Sequence, residues 1–270
     1  ATGCVEPTSC GRHYGHTNCM MFNLVAPLEM ALHDGVHPVI GEQVGPTTGN
    51  PVNFPGYDRF RDAFFEQLGW LIDRSVECNN LLGRAHQRLK PTPFLSALFT
   101  GPMEGGKDLV EGGAVYNTSG TAMIGLSDVV DSLCAVKTLV FDRKKVDFES
   151  LMRAVDDDFT GHEALLASIL NTVPKFGQDH DLPRGVAREV VDFVYDRFQR
   201  HHNYRGGVYL PGYWSMSNHV AFGMLSGALP SGRRRGKPFT PGLTPSHLAG
   251  AALTEQIRTV AGLDRLKIPN

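Results

Sequence analysis

The chain has 270 residues, 41% of them hydrophobic, and a formal net charge of −2 at pH 7, values that are ordinary for a globular protein. This near balance of charge gives no electrostatic attraction to nucleic acid or to an anionic membrane. No apolar run approaches the roughly 20 residues that cross a bilayer, and no secretory signal opens the sequence. The odd count of 5 cysteines argues against a disulfide scaffold. We therefore expect a cytoplasmic protein.

The first half of the chain contains two helical patterns separated by a loop. Apolar residues at helical spacing predict a helix over Met20–His33. Residues 38–56 are rich in Gly, Pro, Asn and Thr and predict a loop. Tyr57–Leu89 is a long helical pattern, and the apolar run Phe94–Thr100 predicts a short buried strand.

The second half is mostly helical and has no internal repeat. Helices are predicted over Met123–Phe141, Phe148–Val155, His162–Leu170, Leu182–Arg200 and Ser246–Val260. Gly207–Leu210 and Trp214–Phe222 are candidate short strands or loops. The basic run Arg233–Arg235 lies in a Gly/Pro-rich loop and predicts a solvated turn. Helices that alternate with short apolar runs indicate an α/β fold in one unit, residues 1–270.

The opening of the chain pairs a soft, redox-capable group with an acid. Cys4 and Glu6 stand two positions apart between Gly3 and Pro7, which favour a tight, constrained turn. The residues alone leave two interpretations open. One is a small buried cysteine beside a surface glutamate. The other is a reactive pair presented by one loop.

Further motifs follow in a fixed order. They are Gly112–Asn117, Ser119–Ala122, Asp128–Leu133, Ser215–His219 and Gly227–Arg233. With the opening loop, their order and spacing resemble those of the glycyl radical enzymes, in the pyruvate formate-lyase-like superfamily. The branch most similar to this chain contains glycerol and hydroxyproline dehydratases, choline and isethionate lyases, and arylacetate decarboxylases.

The resemblance implies an architecture. Its members form a ten-stranded α/β barrel of two half-barrels, surrounded by helices and entered by a cysteine-bearing finger loop. The chain would be a single fragment of that catalytic domain, residues 1–270, without the amino-terminal half and the carboxy-terminal glycyl radical loop. The string Arg258–Leu263 superficially matches the radical segment, but its spacing differs and we interpret it as the end of a helix.

The resemblance also implies a reaction. The residue matching Cys4 becomes a thiyl radical that takes a hydrogen atom from a small organic substrate, and the one matching Glu6 transfers a proton. C–O, C–N or C–S elimination, or C–C cleavage, then follows. This chain would bind no cofactor itself. A radical S-adenosylmethionine activating enzyme would install the glycyl radical on a glycine outside this sequence. A homodimer in the cytoplasm of an anaerobic bacterium is expected, with or without a microcompartment.

Five more residues are candidates for substrate binding. His16 and Asn18 would accompany the cysteine on the finger loop. Asn18 stands where dehydratase relatives carry an acid, and an amide cannot transfer a proton as a carboxylate does. His37 matches the distance of a decarboxylase histidine, or is a polar loop residue. Glu111 is a second proton donor or an ordinary surface glutamate, and Ser119 would line the site.

Two other functions remain as alternatives. The residues Cys10, His13, His16 and Cys19 are zinc-ligand types at spacings of three, although one short loop rarely forms a tetrahedral site alone. On the basis of these residues, one alternative is a non-catalytic metal-binding or scaffold protein. A formate acetyltransferase like pyruvate formate-lyase is the other. That relative has adjacent cysteines, whereas Cys4 is followed by Val5.

Overall fold

The structure, a computed structural model, describes residues 8–268, and for residues 16–18 it describes the backbone without the side chains. Its strands are β1 (His16–Asn23), β2 (Val36–His37), β3 (Glu42–Gln43), β4 (Ser119–Ile124) and β5 (Tyr209–Gly212). Its helices are α1 (Val25–Leu32), α2 (Tyr57–Leu89), α3 (Pro93–Ser96), α4 (Pro102–Gly105), α5 (Leu126–Ala135), α6 (Phe148–Asp156), α7 (Glu163–Thr172), α8 (Asp181–Phe198), α9 (Asn218–Met224) and α10 (Leu253–Ala261). The predicted catalytic pair, Cys4 and Glu6, lies outside the described residues.

The main sheet has three parallel strands in the order β1-β4-β5. Phe22 pairs with Met123 on one side, and Ala122 pairs with Gly212 on the other. All six residues of β4 are buried, as expected for a parallel strand covered on both faces. Since the strands are parallel, their first residues meet at one edge of the sheet. This confirms the α/β fold, while the complete barrel stays a prediction.

Helix α2 contributes a long apolar face to the core. It spans Tyr57–Leu89, as its apolar periodicity predicts, and it packs against α1 and α8. Phe60, Phe64, Leu68 and Ile72 recur at helical spacing and are completely buried. Each such side chain contributes roughly 1.5–3 kcal/mol through removal from water. The described helices do not include one that is long and apolar enough for a bilayer.

The helix predicted over Met20–His33 is wrong in its first turn. Residues 20–23 belong to β1 and pair with β4, and the helix proper is Val25–Leu32. Asn23 marks the change, because its side-chain oxygen accepts hydrogen bonds from the N–H groups of Val25 (2.9 Å) and Ala26. A strand buried on both faces has a continuous apolar run, which periodicity does not distinguish from helix.

Three further predictions need correction. Phe94–Thr100 is not a strand: Pro93–Ser96 forms one helical turn, and Phe94 is 83% exposed. Trp214–Phe222 ends in helix α9 rather than in a strand. The region predicted as one helix, Met123–Phe141, begins in β4, continues as α5 and finishes with a π-helical segment. The remaining predicted helices are confirmed within a few residues at most ends, although the last begins only at Leu253.

Candidate functional site

Polar residues gather where the three parallel strands begin. We call this group the strand-start cluster; it comprises His13, Tyr14, Cys19, Thr118, Ser119, Asn203 and Arg205. A bridge between His13 and Tyr116 extends the β1–β4 pairing upstream of β1. The Tyr14 N–H donates to the Tyr116 carbonyl (2.9 Å), and the Tyr116 N–H donates to the Arg12 carbonyl (3.0 Å). The segment that leads from the opening loop into β1 is therefore fixed against the start of β4.

His13 is fixed by a side-chain hydrogen bond within this cluster. Its Nε2 lies 2.6 Å from the Thr118 Oγ1. Burial, with a smaller contribution from the positive charge of Arg205, lowers the pKa of His13. The neutral imidazole is therefore the favoured form near neutral pH, and it can either donate to or accept from the threonine hydroxyl.

Ser119 is the first residue of β4 and is only 1% exposed. Its Oγ accepts a hydrogen bond from the Asn203 Nδ2 (2.9 Å). Its register partner in β1 is His16, another predicted site residue. The structure thus brings Ser119 and the backbone of His16 together at the strand-start edge. Their role in substrate binding stays a prediction.

Cys19 is half-buried beside Ser119. Burial raises the pKa of this thiol to about 12, although Arg205 and hydrogen bonds act in the opposite direction. The thiol therefore stays protonated near neutral pH and is a poor nucleophile. Within residues 8–268, apart from the undescribed side chains, no three His, Cys, Asp or Glu residues are grouped to hold a metal ion.

Asn203 and Arg205 were missed by sequence reasoning. Both lie in the connection between α8 and β5, and both are buried. Asn203 Nδ2 donates to the Asn117 carbonyl (2.6 Å), and Arg205 Nη2 donates to the Thr118 carbonyl (2.9 Å). The only local signal is the pair Gly206-Gly207, where Gly206 adopts a φ of 83° and closes a tight turn.

The other predicted residues make local contacts. His37 lies in the small β2–β3 ribbon, where its Nδ1 accepts the Val39 N–H at 3.3 Å. Burial lowers the pKa of His37. Glu111 is exposed, and its Oε2 accepts the Asp108 N–H (3.1 Å) in a capping box around a one-turn 3₁₀ helix. These contacts give both side chains a structural function, and a role in the site stays a prediction.

The structure describes four of the predicted site residues only in part or not at all. Cys4 and Glu6 lie outside the described residues. His16 and Asn18 are described as backbone positions in β1, without their side chains. The chain from Cys4 nevertheless reaches the sheet through the residues that the strand-start cluster fixes.

A cavity of about 810 Å³ lies at the opposite end of the sheet. We call it the strand-end cavity; its charged lining includes Asp128, Asp131, Lys175 and Arg233. Asp128 accepts the Thr240 N–H (2.8 Å), and Asp131 accepts the Phe176 N–H (2.7 Å). Burial raises the pKa of Asp128 to about 6 and that of Asp131 to about 7. Burial also lowers the pKa of Lys175.

Arg233 is 7% exposed, so the prediction of a solvated turn is wrong for this residue. Its guanidinium donates to the carbonyls of Gly227 and Gly223, both at 2.6 Å. It also donates to the Lys237 carbonyl and lies 4.6 Å from the centre of the Phe239 ring. These contacts fold the 223–239 loop around one buried cation. The sequence could not predict this, because the acceptors are backbone carbonyls.

The string that superficially matches a radical segment ends helix α10. The Gly262 N–H donates to the Arg258 carbonyl (3.0 Å), and the Gly262 carbonyl accepts from Arg188 Nε (2.8 Å). Leu263, which follows, is 5% exposed. The interpretation of this string as a helix end is therefore confirmed.

A comparison with family models finds one match. The model described as "Pyruvate formate lyase-like" matches residues 1–223. The match includes the opening loop, all of β1 to β5 and most of the intervening helices.

Curated relatives and solved structures agree with that match. A trans-4-hydroxy-L-proline dehydratase from Clostridioides difficile is 33% identical over 98% of this chain and 34% of its own length. The structure of a B12-independent glycerol dehydratase from Clostridium butyricum has a TM-score of 0.93 at 34% identity, covering 97% of this chain and 33% of that one. A glycyl radical enzyme from Archaeoglobus fulgidus has a TM-score of 0.93 at 32% identity, covering 99% and 34%. The chain spans about a third of the length of these proteins.

Proposed function

The chain belongs to the pyruvate formate lyase-like family, and we propose that it is the part of a glycyl radical lyase that carries the hydrogen-abstracting cysteine, Cys4, and its acid/base partner, Glu6. The observation that carries the proposal is the similarity over nearly the whole chain to a hydroxyproline dehydratase and a glycerol dehydratase. Both of these relatives remove water from a hydroxylated substrate, as their names state. Dehydratase-type elimination is therefore the reaction that the similarity favours over decarboxylation and formate acetyl transfer.

Cys4 would act through its S–H bond. As a thiyl radical it takes one hydrogen atom from a substrate carbon, so that a C–H bond breaks, an S–H bond forms and the radical moves to the substrate. Returning a hydrogen atom from the thiol to the product radical regenerates the thiyl. No external oxidant or reductant is consumed. The protein contributes mainly positioning and the exclusion of water.

Glu6 would move the proton that accompanies elimination. A hydroxyl group leaves as water only after it gains a proton, and a carboxyl group in reach can supply it. Asn18 replaces the acid of the dehydratase relatives and cannot do so. We therefore infer that Glu6 supplies the proton to the leaving hydroxyl group.

The strand-start cluster supports this function indirectly. It fixes the segment next to the opening loop, keeps His13 neutral and keeps the Cys19 thiol protonated. His16, Asn18 and Ser119 are close to that segment along β1 and β4, so they are our candidates for substrate contact.

The radical itself would be stored outside this sequence. When present, a glycyl radical supplies the oxidising equivalent that activates Cys4. Gly262 does not fit that function, because it is bonded into the end of helix α10. We infer that a radical S-adenosylmethionine activating enzyme and a second copy of the protein are the partners, and that the site is cytoplasmic and anaerobic.

The test uses the natural full-length protein that contains this chain, activated anaerobically by its activating enzyme. Substrates are trans-4-hydroxy-L-proline, glycerol and 1,2-propanediol, with the radical quantified by electron paramagnetic resonance. We expect dehydration of a hydroxylated substrate. The E6Q variant should lose about 10²-fold or more in kcat at equal radical content. A C10S control, at an exposed cysteine, should retain full activity. Wild-type activity in E6Q would overturn the role of Glu6.

A further inference from the structure

Arg205 connects three segments that are distant in sequence. It is 7% exposed, and its Nη2 donates to the Thr118 carbonyl just before β4 (2.9 Å). Its guanidinium carbon lies 4.8 Å from the centre of the Tyr14 ring, just before β1. It lies 5.3 Å from the centre of the ring of its neighbour Tyr204, so the cation lies over two aromatic rings.

The turn that carries Arg205 is itself rigidly held. Asn203 Oδ1 accepts the N–H groups of Arg205 (3.0 Å) and Gly207 (2.9 Å). The Nδ2 of the same side chain donates to the Asn117 carbonyl and to Ser119 Oγ. A Cβ added at Gly112 would approach the Arg205 carbonyl to 2.6 Å, so the turn packs tightly on that glycine. These contacts hold the turn that carries Arg205 without any contribution from Tyr14.

Burying the charged guanidinium of Arg205 carries a desolvation cost. The Nε and Nη1 of Arg205 are buried without hydrogen-bond partners among the residues that the structure describes. Replacing a buried charge by an apolar side chain of similar volume is often neutral or stabilising. The stacking on Tyr14 and the bond to Thr118 are contacts that methionine or leucine cannot reproduce. They join the segments before β1 and β4 at the point where the opening loop enters the sheet.

We propose that Arg205 is a positioning residue that fixes residues 11–14 against the start of β4 and thereby sets where Cys4 and Glu6 enter the site. Residues 11–14 follow the opening loop closely in sequence, so we expect a change in their position to affect the placement of that loop. We call the contacts among Tyr14, Thr118 and Arg205 the Arg205 clamp. Its effect on catalysis rests on the proposed function. The clamp itself rests only on the contacts of Tyr14, Thr118 and Arg205.

The experiment compares R205M and R205K with the control R200M in the natural full-length protein. Arg200 is an exposed residue of the same connection. Hydrogen exchange is followed by mass spectrometry in peptides covering residues 8–16 and in helix α8. In R205M, exchange in residues 8–16 should accelerate about tenfold or more while α8 is unchanged. R205K should recover little, because an ammonium lacks the planar stacking surface.

Activity provides the second readout. With radical content equal to that of the wild type, R205M should lower kcat about 10- to 100-fold and change KM less than about threefold. Unchanged exchange in residues 8–16, equal acceleration throughout the protein, or unchanged kcat despite local loosening would each overturn the proposal. If the proposed function fails, E6Q retains activity while the exchange result for R205M still reports on the clamp.

Discussion

The two ends of the parallel sheet use polar residues in different ways. At the strand-start cluster, neutral groups such as His13, Ser119 and Asn203 hydrogen-bond across segments distant in sequence, with Arg205 as the one buried cation. At the strand-end cavity, buried acids and bases bind backbone N–H and carbonyl groups of the surrounding loops.

The strand-end cavity lies away from the described residues that follow the predicted catalytic pair in sequence, His13 and Tyr14. Asp128, Asp131, Lys175 and Arg233 each hydrogen-bond to backbone groups of the surrounding loops, which is the arrangement of a structural anchor. The strand-start cluster instead fixes the few residues that follow Cys4 and Glu6. We expect substitutions at the strand end to lower stability, and substitutions at the strand start to lower activity out of proportion to stability.

The largest stability effect is expected at Arg233. R233M leaves the carbonyls of Gly223, Gly227 and Lys237 without this donor and should lower the free energy of unfolding by about 3 kcal/mol or more. R235M, at an exposed neighbour, should cost less than about 1 kcal/mol. Urea unfolding measures both. Equal losses would show that the buried cation does not anchor the loop.

Asn203 should follow in size. N203A removes four hydrogen bonds, two donated by Nδ2 and two accepted by Oδ1, and should cost roughly 2–3 kcal/mol in urea unfolding. N203D keeps the acceptors for Arg205 and Gly207 and should lose about half as much. N53A, at an exposed asparagine, serves as the control. A cost for N203A no greater than that of N53A would contradict the hydrogen-bond network described for the strand-start cluster.

Asp131 should make stability depend on pH. Its folded-state pKa of about 7 exceeds its unfolded value, so its contribution is fully present below about pH 4 and is lost as pH rises through 7. D131N keeps an acceptor for the Phe176 N–H but does not titrate. The wild type should therefore lose stability between pH 5 and pH 8, on the order of 2–3 kcal/mol more than D131N. E66Q, at an exposed glutamate, should behave like the wild type. Identical pH profiles for D131N and the wild type would refute the raised pKa.

The last prediction concerns cysteine labelling and requires no substitution in the protein. Cys19, with a pKa of about 12, should react with iodoacetamide at pH 8 at least about 100-fold more slowly than the exposed Cys78. Peptide mass spectrometry follows each cysteine separately. Comparable rates would mean that the thiol next to Ser119 is accessible and ionised, which would contradict its raised pKa.

The sequence predicted the parts of this fold whose signal is local. Helix α2 was predicted from end to end because its apolar spacing persists over many turns. The first turn predicted at Met20 failed because a strand buried on both faces has the same apolar run as a buried helix. Phe94–Thr100 failed because its apolar residues are exposed, which a run of hydrophobic residues does not reveal.

The residues of the candidate site also divide into those with a local sequence signal and those without one. Ser119 was found because it lies in a motif, and it does lie at the strand-start edge. Asn203 and Arg205 were missed because their partners, Asn117 and Thr118, are remote in sequence and are contacted through backbone carbonyls. Every residue has a backbone carbonyl, so the sequence does not indicate which carbonyl accepts a hydrogen bond. Only the folded structure identifies such contacts.

One measurement tests the central claim most directly: turnover by a Cys4→Ser variant of the activated full-length protein, with glycyl radical content matched to the wild type. A serine O–H bond is too strong for the same hydrogen transfer, so we predict no detectable product from the variant while its radical signal persists. Product formation by Cys4→Ser at a rate near that of the wild type would contradict the account.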